Sequence, residues 1–375
     1  MTTLQKKPRV EIVGSFLPPE ELEEARLAMR HGNLTTEAYS EIQDKVIDRL
    51  IDREIEAGLQ IVTDGEMRRK AWDRDFWEGL DGMNRERIDT GRIYQDEVVQ
   101  HDLLRFTGRI AYNPQHPFFE KFTHMQQLAA GRAEVRQTIP SPGELYMRIL
   151  VGSNGDISKL YESPSTLEDD IVEAYHRTIE QFYALGCRHI QLDTGVWGRL
   201  GEQSFERFLL LGGINADEVT DKLLDLINRT INGRPADLEI TLSIAADETS
   251  IPRWGDEKEL QHLRLMLENV DADAFLLPFD INYPEHLEVL RWLPEGKRAI
   301  LGLVDGSLPN VESIPDIVNA VRVANRHVPL SFISISPRCG FKVRDRERQG
   351  LNYETQWDKI SLLQQAAEVI GAENA

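Results

Sequence analysis

The chain has 375 residues, with 43 Lys and Arg against 63 Asp and Glu, a formal charge of −20. That field repels nucleic acid and anionic membranes, so neither is expected as a partner. Two cysteines cannot build a disulfide framework and fit a reducing compartment, and the N-terminal stretch Met1–Pro8 lacks the apolar core of a signal peptide, so a cytoplasmic protein is expected.

Val10–Phe16 reads as a strand ending at Gly14-Ser15, and Pro18-Pro19-Glu20-Glu21 opens a helix reaching about Gly32, with prolines and acids at its positive end. A longer helix follows from Thr36 to Ala57, with Ile42, Val46, Leu50, Ile51 and Ile55 at spacings of mostly three and four. Ile61–Thr63 is a second strand, running into Asp64-Gly65-Glu66.

From Met67 to Gln137 aromatic residues and arginines are interleaved (Trp72, Phe76, Trp77, Phe106; Arg68, Arg69, Arg74, Arg85, Arg87, Arg92). A hairpin over roughly Arg92–Val99 and Leu104–Ile110, then a helix from Pro117 to Gly131, is expected here. Such mixing can serve single strands of nucleic acid, but in an acidic chain it better suits a folded insertion near residues 85–130, or an interface in a homo-oligomer.

Strand and helix then alternate: strands at Val135–Ile139, His189–Asp193, Leu238–Ala245, Ala274–Phe279, Ala299–Val304 and Phe332–Ile335. Helices are expected at Leu167–Gly186, Asp217–Asn232, Glu257–Val270, Pro284–Leu293, Ile314–Val328 and Glu354–Ile370. Eight apolar strands, each followed by helix and without a Gly-x-Gly-x-x-Gly loop, predict one α/β domain over 1–375, a closed (β/α)8 TIM barrel.

Chemistry in such a barrel sits at the C-terminal strand ends. Those ends are Gly14-Ser15, Asp64/Glu66, Ser141-Pro142, Asp193-Thr194, Ser243/Ala245, Pro278/Asp280, Asp305/Ser307 and Cys339. Any one carboxylate there can be a helix cap, but acids at four of eight ends predict a polar cup. In His189–Asp193 the alternation puts His189, Gln191 and Asp193 on one face, and inward polar side chains must bond one another or a ligand. Cys339, in Ser336-Pro337-Arg338-Cys339-Gly340-Phe341, is either a packed small residue or part of that cup.

The motifs Val13-Gly14-Ser15-Phe16, Thr63-Asp64-Gly65-Glu66-Met67-Arg68-Arg69, Ile139-Pro140-Ser141-Pro142, Ile190-Gln191-Leu192-Asp193, Gly302-Leu303-Val304 and Ser336–Phe341 recur in order at the strand ends. Together they resemble the catalytic barrel of cobalamin-independent methionine synthase, particularly its one-barrel forms, over nearly the whole chain. That family moves a methyl group from a folate to homocysteine, whose thiolate is activated by zinc. The resemblance implies that Ser15 holds a substrate carboxylate and that Glu66 and Asp193 hold its ammonium. It also implies zinc ligands at a His-x-Cys pair, a glutamate and a cysteine. Here those positions carry Ser243, Ala245, Pro278 and Cys339, so Cys339 is the one ligand position retained. A histidine that would protonate the folate leaving group is replaced by Ser307.

Three functions are therefore expected to compete. The first is metal-independent acid–base chemistry on a small carboxylic or amino acid, of lyase or decarboxylase type. Its candidate groups are Glu66, Asp193, Asp280, Asp305 and Cys339, with Ser15, Ser243 and Ser307 as binding groups and no cofactor; the related uroporphyrinogen decarboxylase barrel works without metal. The second is methyl or alkyl transfer to a thiol, with zinc held only through substitute ligands such as Asp247, Glu248 or Asp280. The third is a non-catalytic protein that binds small acids.

Overall fold

The computed structural model describes residues 7–94, 97–152, 157–244, 254–255, 257–342 and 351–374, with the backbone alone over 87–103 and at 157. Ten strands are present: β1 (Arg9–Val10), β2 (Ile61–Val62), β3 (Asp81–Tyr94), β4 (Glu97–Ala111), β5 (Glu134–Pro140), β6 (His189–Asp193), β7 (Glu239–Ser243), β8 (Ala274–Pro278), β9 (Arg298–Val304) and β10 (Ile333–Pro337). Eight of them form one parallel sheet in the order β1-β10-β9-β8-β7-β6-β5-β2, with β3 and β4 a separate antiparallel pair.

That order is the circular order of a (β/α)8 barrel: from β5 onward each strand lies beside its predecessor in the sheet, the last lies beside the first, and β1 and β2 stand at the two ends. Arg9 and Val10 of β1 pair with Ser334 and Ile335 of β10. Across the seam between β1 and β2, the Phe16 amide donates to the Gly65 carbonyl at 3.0 Å, tying the two C-terminal loops together.

The strands are short because each need only cross the barrel wall, and they are apolar because both faces are covered. On β6 and β7 the outward residues Ile190, Leu192, Ile240 and Leu242 are fully buried beneath the helical layer. Helix Pro164–Ala184 starts where Ser163 accepts from the Thr166 amide, and helix Ala216–Ile231 where Asn215 accepts from the Asp217 amide. Val219, Leu223, Leu226 and Ile227 then give the second helix its inward face.

The barrel floor is ionic. Glu11, directly after β1, is paired with Arg136 (β5) and Arg298 (β9), and Arg298 also reaches Glu239 (β7) at 2.5 Å and Ser334 Oγ at 2.7 Å. His189 (β6) bridges Glu239 at 3.2 Å and Glu134 at 2.5 Å. Burial alone would raise the Glu11 carboxyl, but Arg136 and Arg298 overcome it and hold it at about 2. His189, on the polar face expected from sequence, thus belongs to this floor and not to the cup.

Several local expectations change. The hairpin starts at Asp81, well before Arg92, with Met83 opposite Phe106 and Arg85 opposite Leu104. Its arginines serve ion pairs, Arg85 with Asp75 and Arg109 with Asp170, and nearby Arg68 pairs with Asp44. Pro142 opens a helix to Gly152, because proline suits a first helical turn. A further helix, Gln203–Leu211, follows β6, and Pro284–Trp292 is a 3-10 helix. No helix among the described residues is long and apolar enough to cross a membrane.

Candidate active site

Two loops define one side of the barrel mouth. Gly14, after β1, has φ +130, and a Cβ there would lie 2.9 Å from the Gly340 N and Cα. Gly340 in turn presses on the next residue, since a Cβ on it would lie 2.5 Å from both Ser15 N and Ser15 Oγ. Only glycine permits this mutual approach. The Phe341 amide donates to the Ser15 carbonyl at 2.7 Å, and the Lys342 amide donates to Ser15 Oγ at 3.2 Å. Ser15 is thereby fixed at the rim, where the sequence placed it.

The opposite side carries the acids. Glu66 follows β2 in a turn that the buried Glu54 supports from beneath, its carboxyl oxygens accepting from the Thr63 amide at 3.3 Å. Glu66 adopts φ +56, a left-handed conformation that costs a non-glycine residue strain. Its carboxylate pairs with Arg69 at 3.0 Å and accepts from Thr138 Oγ1 at 3.3 Å, while Arg69 donates to the Thr138 carbonyl at 2.6 Å. Asp193, at the end of β6, is 6% exposed and accepts from Gln191 Nε2 at 2.6 Å. Burial, reinforced by the negative charge of Glu66, lifts the Asp193 carboxyl to about 7, against the opposing pull of Gln191 and Arg69. Ser243 stands opposite Asp193 in register on β7. Its hydroxyl lies close enough to favour the ionised Asp193 but forms no hydrogen bond of normal geometry.

The remaining expected site residues divide. Cys339 is buried in an apolar cluster with Val13, Ala274, Leu276 and Ile300 inside the barrel. Pro278 offers only its carbonyl, which accepts from Trp254 Nε1 at 3.0 Å. Asp305 pairs with Arg338 of the Cys339 motif and accepts from Ser307 Oγ at 2.6 Å, so Asp305 and Ser307 form one unit on that side. Asp280 is not drawn into either group. Its carboxylate accepts from the Asn282 amide at 2.9 Å and side chain at 2.8 Å, an Asx turn of its own loop. Ala245, Asp247 and Glu248 lie outside the described residues. Among the described residues, no three His, Cys, Asp or Glu side chains are grouped to hold a metal ion.

Three polar residues join the cup beyond those expected. Arg69 and Arg338 both lie inside the motifs but their roles as carboxylate partners depend on the fold. Glu144, in the first turn of helix Pro142–Gly152, accepts from the Val196 amide at 2.6 Å and from Thr194 Oγ1 at 3.3 Å, bracing the loop after Asp193. Burial raises the Glu144 carboxyl to about 7. The cue for it was an acid two residues after Pro142, at a helix start.

The model of the cobalamin-independent synthase catalytic domain matches residues 10–105 and 224–354. The uncharacterized protein YxjG of Bacillus subtilis is 30% identical over 361 residues, covering 95% of this chain and 93% of that one. A methionine synthase of Sulfolobus acidocaldarius is 20% identical over 90% of this chain and 86% of its own length. Among solved structures, a Listeria monocytogenes protein provisionally named a vitamin-B12 independent methionine synthase superposes with a TM-score of 0.73 at 27% identity, covering 96% of both chains. With its eight-stranded barrel and its strand-end motifs in place, the chain belongs to the cobalamin-independent synthase catalytic-domain family, a family of methyltransferase-type enzymes.

Proposed function

We propose that this enzyme grips a small amino-acid-like or carboxylic substrate and acts on it by metal-independent acid–base chemistry of lyase or decarboxylase type, not as a methionine synthase. The observation that carries this reading is the pair of unlike acids in one cup. Glu66 is ion-paired with Arg69, while Asp193 is buried and carries its proton up to about pH 7. Two carboxyl groups held in different environments can serve as charge anchor and proton carrier at neutral pH. In this reading Ser15 and the rim amides take the substrate carboxylate, Glu66 anchors an ammonium, and Asp193 gives or takes the proton at carbon.

The side chains at the family's zinc positions are a poor donor set. Cys339 supplies one thiol, facing apolar neighbours; Ser243 supplies one hydroxyl; Pro278 supplies no side-chain donor. Structural and catalytic zinc takes thiolate, imidazole and carboxylate donors, so these positions do not fit it. Substitute ligation through Asp280 is opposed by its Asx turn.

A second reading, methyl or alkyl transfer to a thiol, is favoured by family membership and by the retained Cys339. The two are separated by proton NMR in D2O with chelator-treated protein and a panel of small amino and hydroxy acids. Acid–base chemistry at carbon predicts exchange of a substrate C–H for deuterium, lost in Asp193→Asn. Thiol methylation that requires added zinc, with no exchange at carbon, would sink the proposal.

A further inference from the structure

Beneath the cup, two buried polar atoms lack a hydrogen bond of normal geometry among the described residues: Gln191 Oε1, and Ser243 Oγ, which sits close to the Asp193 carboxylate. Both residues are fully buried. Gln191 spends its amide nitrogen on Asp193, leaving the oxygen as an acceptor with nothing to accept from. The pair occupies successive inward positions on neighbouring strands, since Asp193 is opposite Ser243 and Gln191 is opposite Thr241 one rung below. On the far side Ser243 is opposite Leu276, which packs with Ala274, Ile300, Val13 and Cys339. The two atoms thus lie beneath the cup between a polar wall and an apolar wall.

Buried groups left unpaired cost free energy, and a native fold keeps them where a ligand completes them. A hydroxyl or amide group can do so here, donating to Gln191 Oε1 and accepting from the Ser243 hydroxyl. A thiol does this poorly and an alkyl end does not do it at all.

We propose that Ser243 and Gln191 form a specificity recess for the neutral, hydrogen-bonding end of a short amino-acid side chain, so that the substrate class is a hydroxyl- or amide-bearing amino acid and not a thiol. This rests on the reading above that Glu66 anchors the ammonium while Asp193, opposite Ser243, faces the reacting carbon, which directs the side chain towards β7.

The test uses three ligands of one shape, L-homoserine, L-homocysteine and L-norvaline, titrated calorimetrically into the chelator-treated full chain. Homoserine is expected to bind at least about tenfold tighter than norvaline, with homocysteine between them, because a site built to hydrogen-bond a hydroxyl rejects the analogue lacking it. Ser243→Ala is expected to bring homoserine within about twofold of norvaline while norvaline itself binds as before. Equal binding of all three by the native chain, or an unchanged homoserine preference in Ser243→Ala, overturns the recess and leaves the acid cup standing. Binding of none, with Glu66→Gln likewise silent, overturns the cup and the recess together.

Discussion

Gly340 rests directly on Ser15: a single added carbon at Gly340 would stand 2.5 Å from both the backbone nitrogen and the hydroxyl oxygen of that serine. The contact joins the first and last strands of the barrel at the rim of the cup. It makes the Ser336–Phe341 motif a structural clasp for Ser15.

Gly340→Ala is therefore expected to displace Ser15. The obstructing atoms include backbone nitrogen, so relief requires loop movement, at a cost of about 1–3 kcal/mol. Ligand affinity is expected to fall further than stability does. Denaturant melts paired with homoserine titration check this; a variant with native affinity would remove Ser15 from the substrate-binding side.

Asp193 gives a pH signature with a definite sign. Its carboxyl is raised in the fold to about 7, so through the acid range the native chain keeps a proton the unfolded chain has lost. The stability from this group is full below the ordinary aspartate range and is lost as pH rises through 7. Asp193→Asn, which removes the buried charge, is expected to be more stable than the native chain at pH 8, on the order of 2 kcal/mol, with the difference shrinking towards pH 5. An ammonium ligand should also expel the Asp193 proton near pH 6.5, seen as buffer-dependent binding heats. Identical pH profiles for variant and native chain would count against a buried, protonated Asp193.

The floor network has the opposite sign. Glu11 is held at about 2, so its contribution is present above the ordinary glutamate range and is lost as pH falls towards 2. Arg298→Leu removes the cation that Glu11 and Glu239 both contact directly, leaving Glu11 to Arg136 and Glu239 to His189, and is expected to cost about 3–5 kcal/mol. Urea melts at pH 7 test it. A loss comparable to that of an exposed pair would mean water, and not Arg298, sustains those carboxylates.

The barrel was legible in the sequence because most strands are short apolar runs buried on both faces, several of them ended by Gly, Pro or Asp. Asp193 stood out because polar residues alternate with Ile190 and Leu192 on β6. Partner choice was not legible. Glu11 and Arg298 lie 287 positions apart and meet only when the barrel closes. Asp280 and Asp193 look alike as strand-end acids, yet Asp280 spends its carboxylate on Asn282 two residues on, a local turn that the Asp-Ile-Asn sequence already contains. Arg69 and Arg338 were inside recognised motifs, but which acids they would pair with depended on neighbouring strands.

In the proposed chemistry this family member works without the family's metal. Elemental analysis of untagged, purified protein, repeated after incubation with excess zinc and desalting, tests it most directly. Substoichiometric zinc in both samples, with no change on Cys339→Ala, is the expected result. One zinc per chain, lost when Cys339 is replaced, would contradict it.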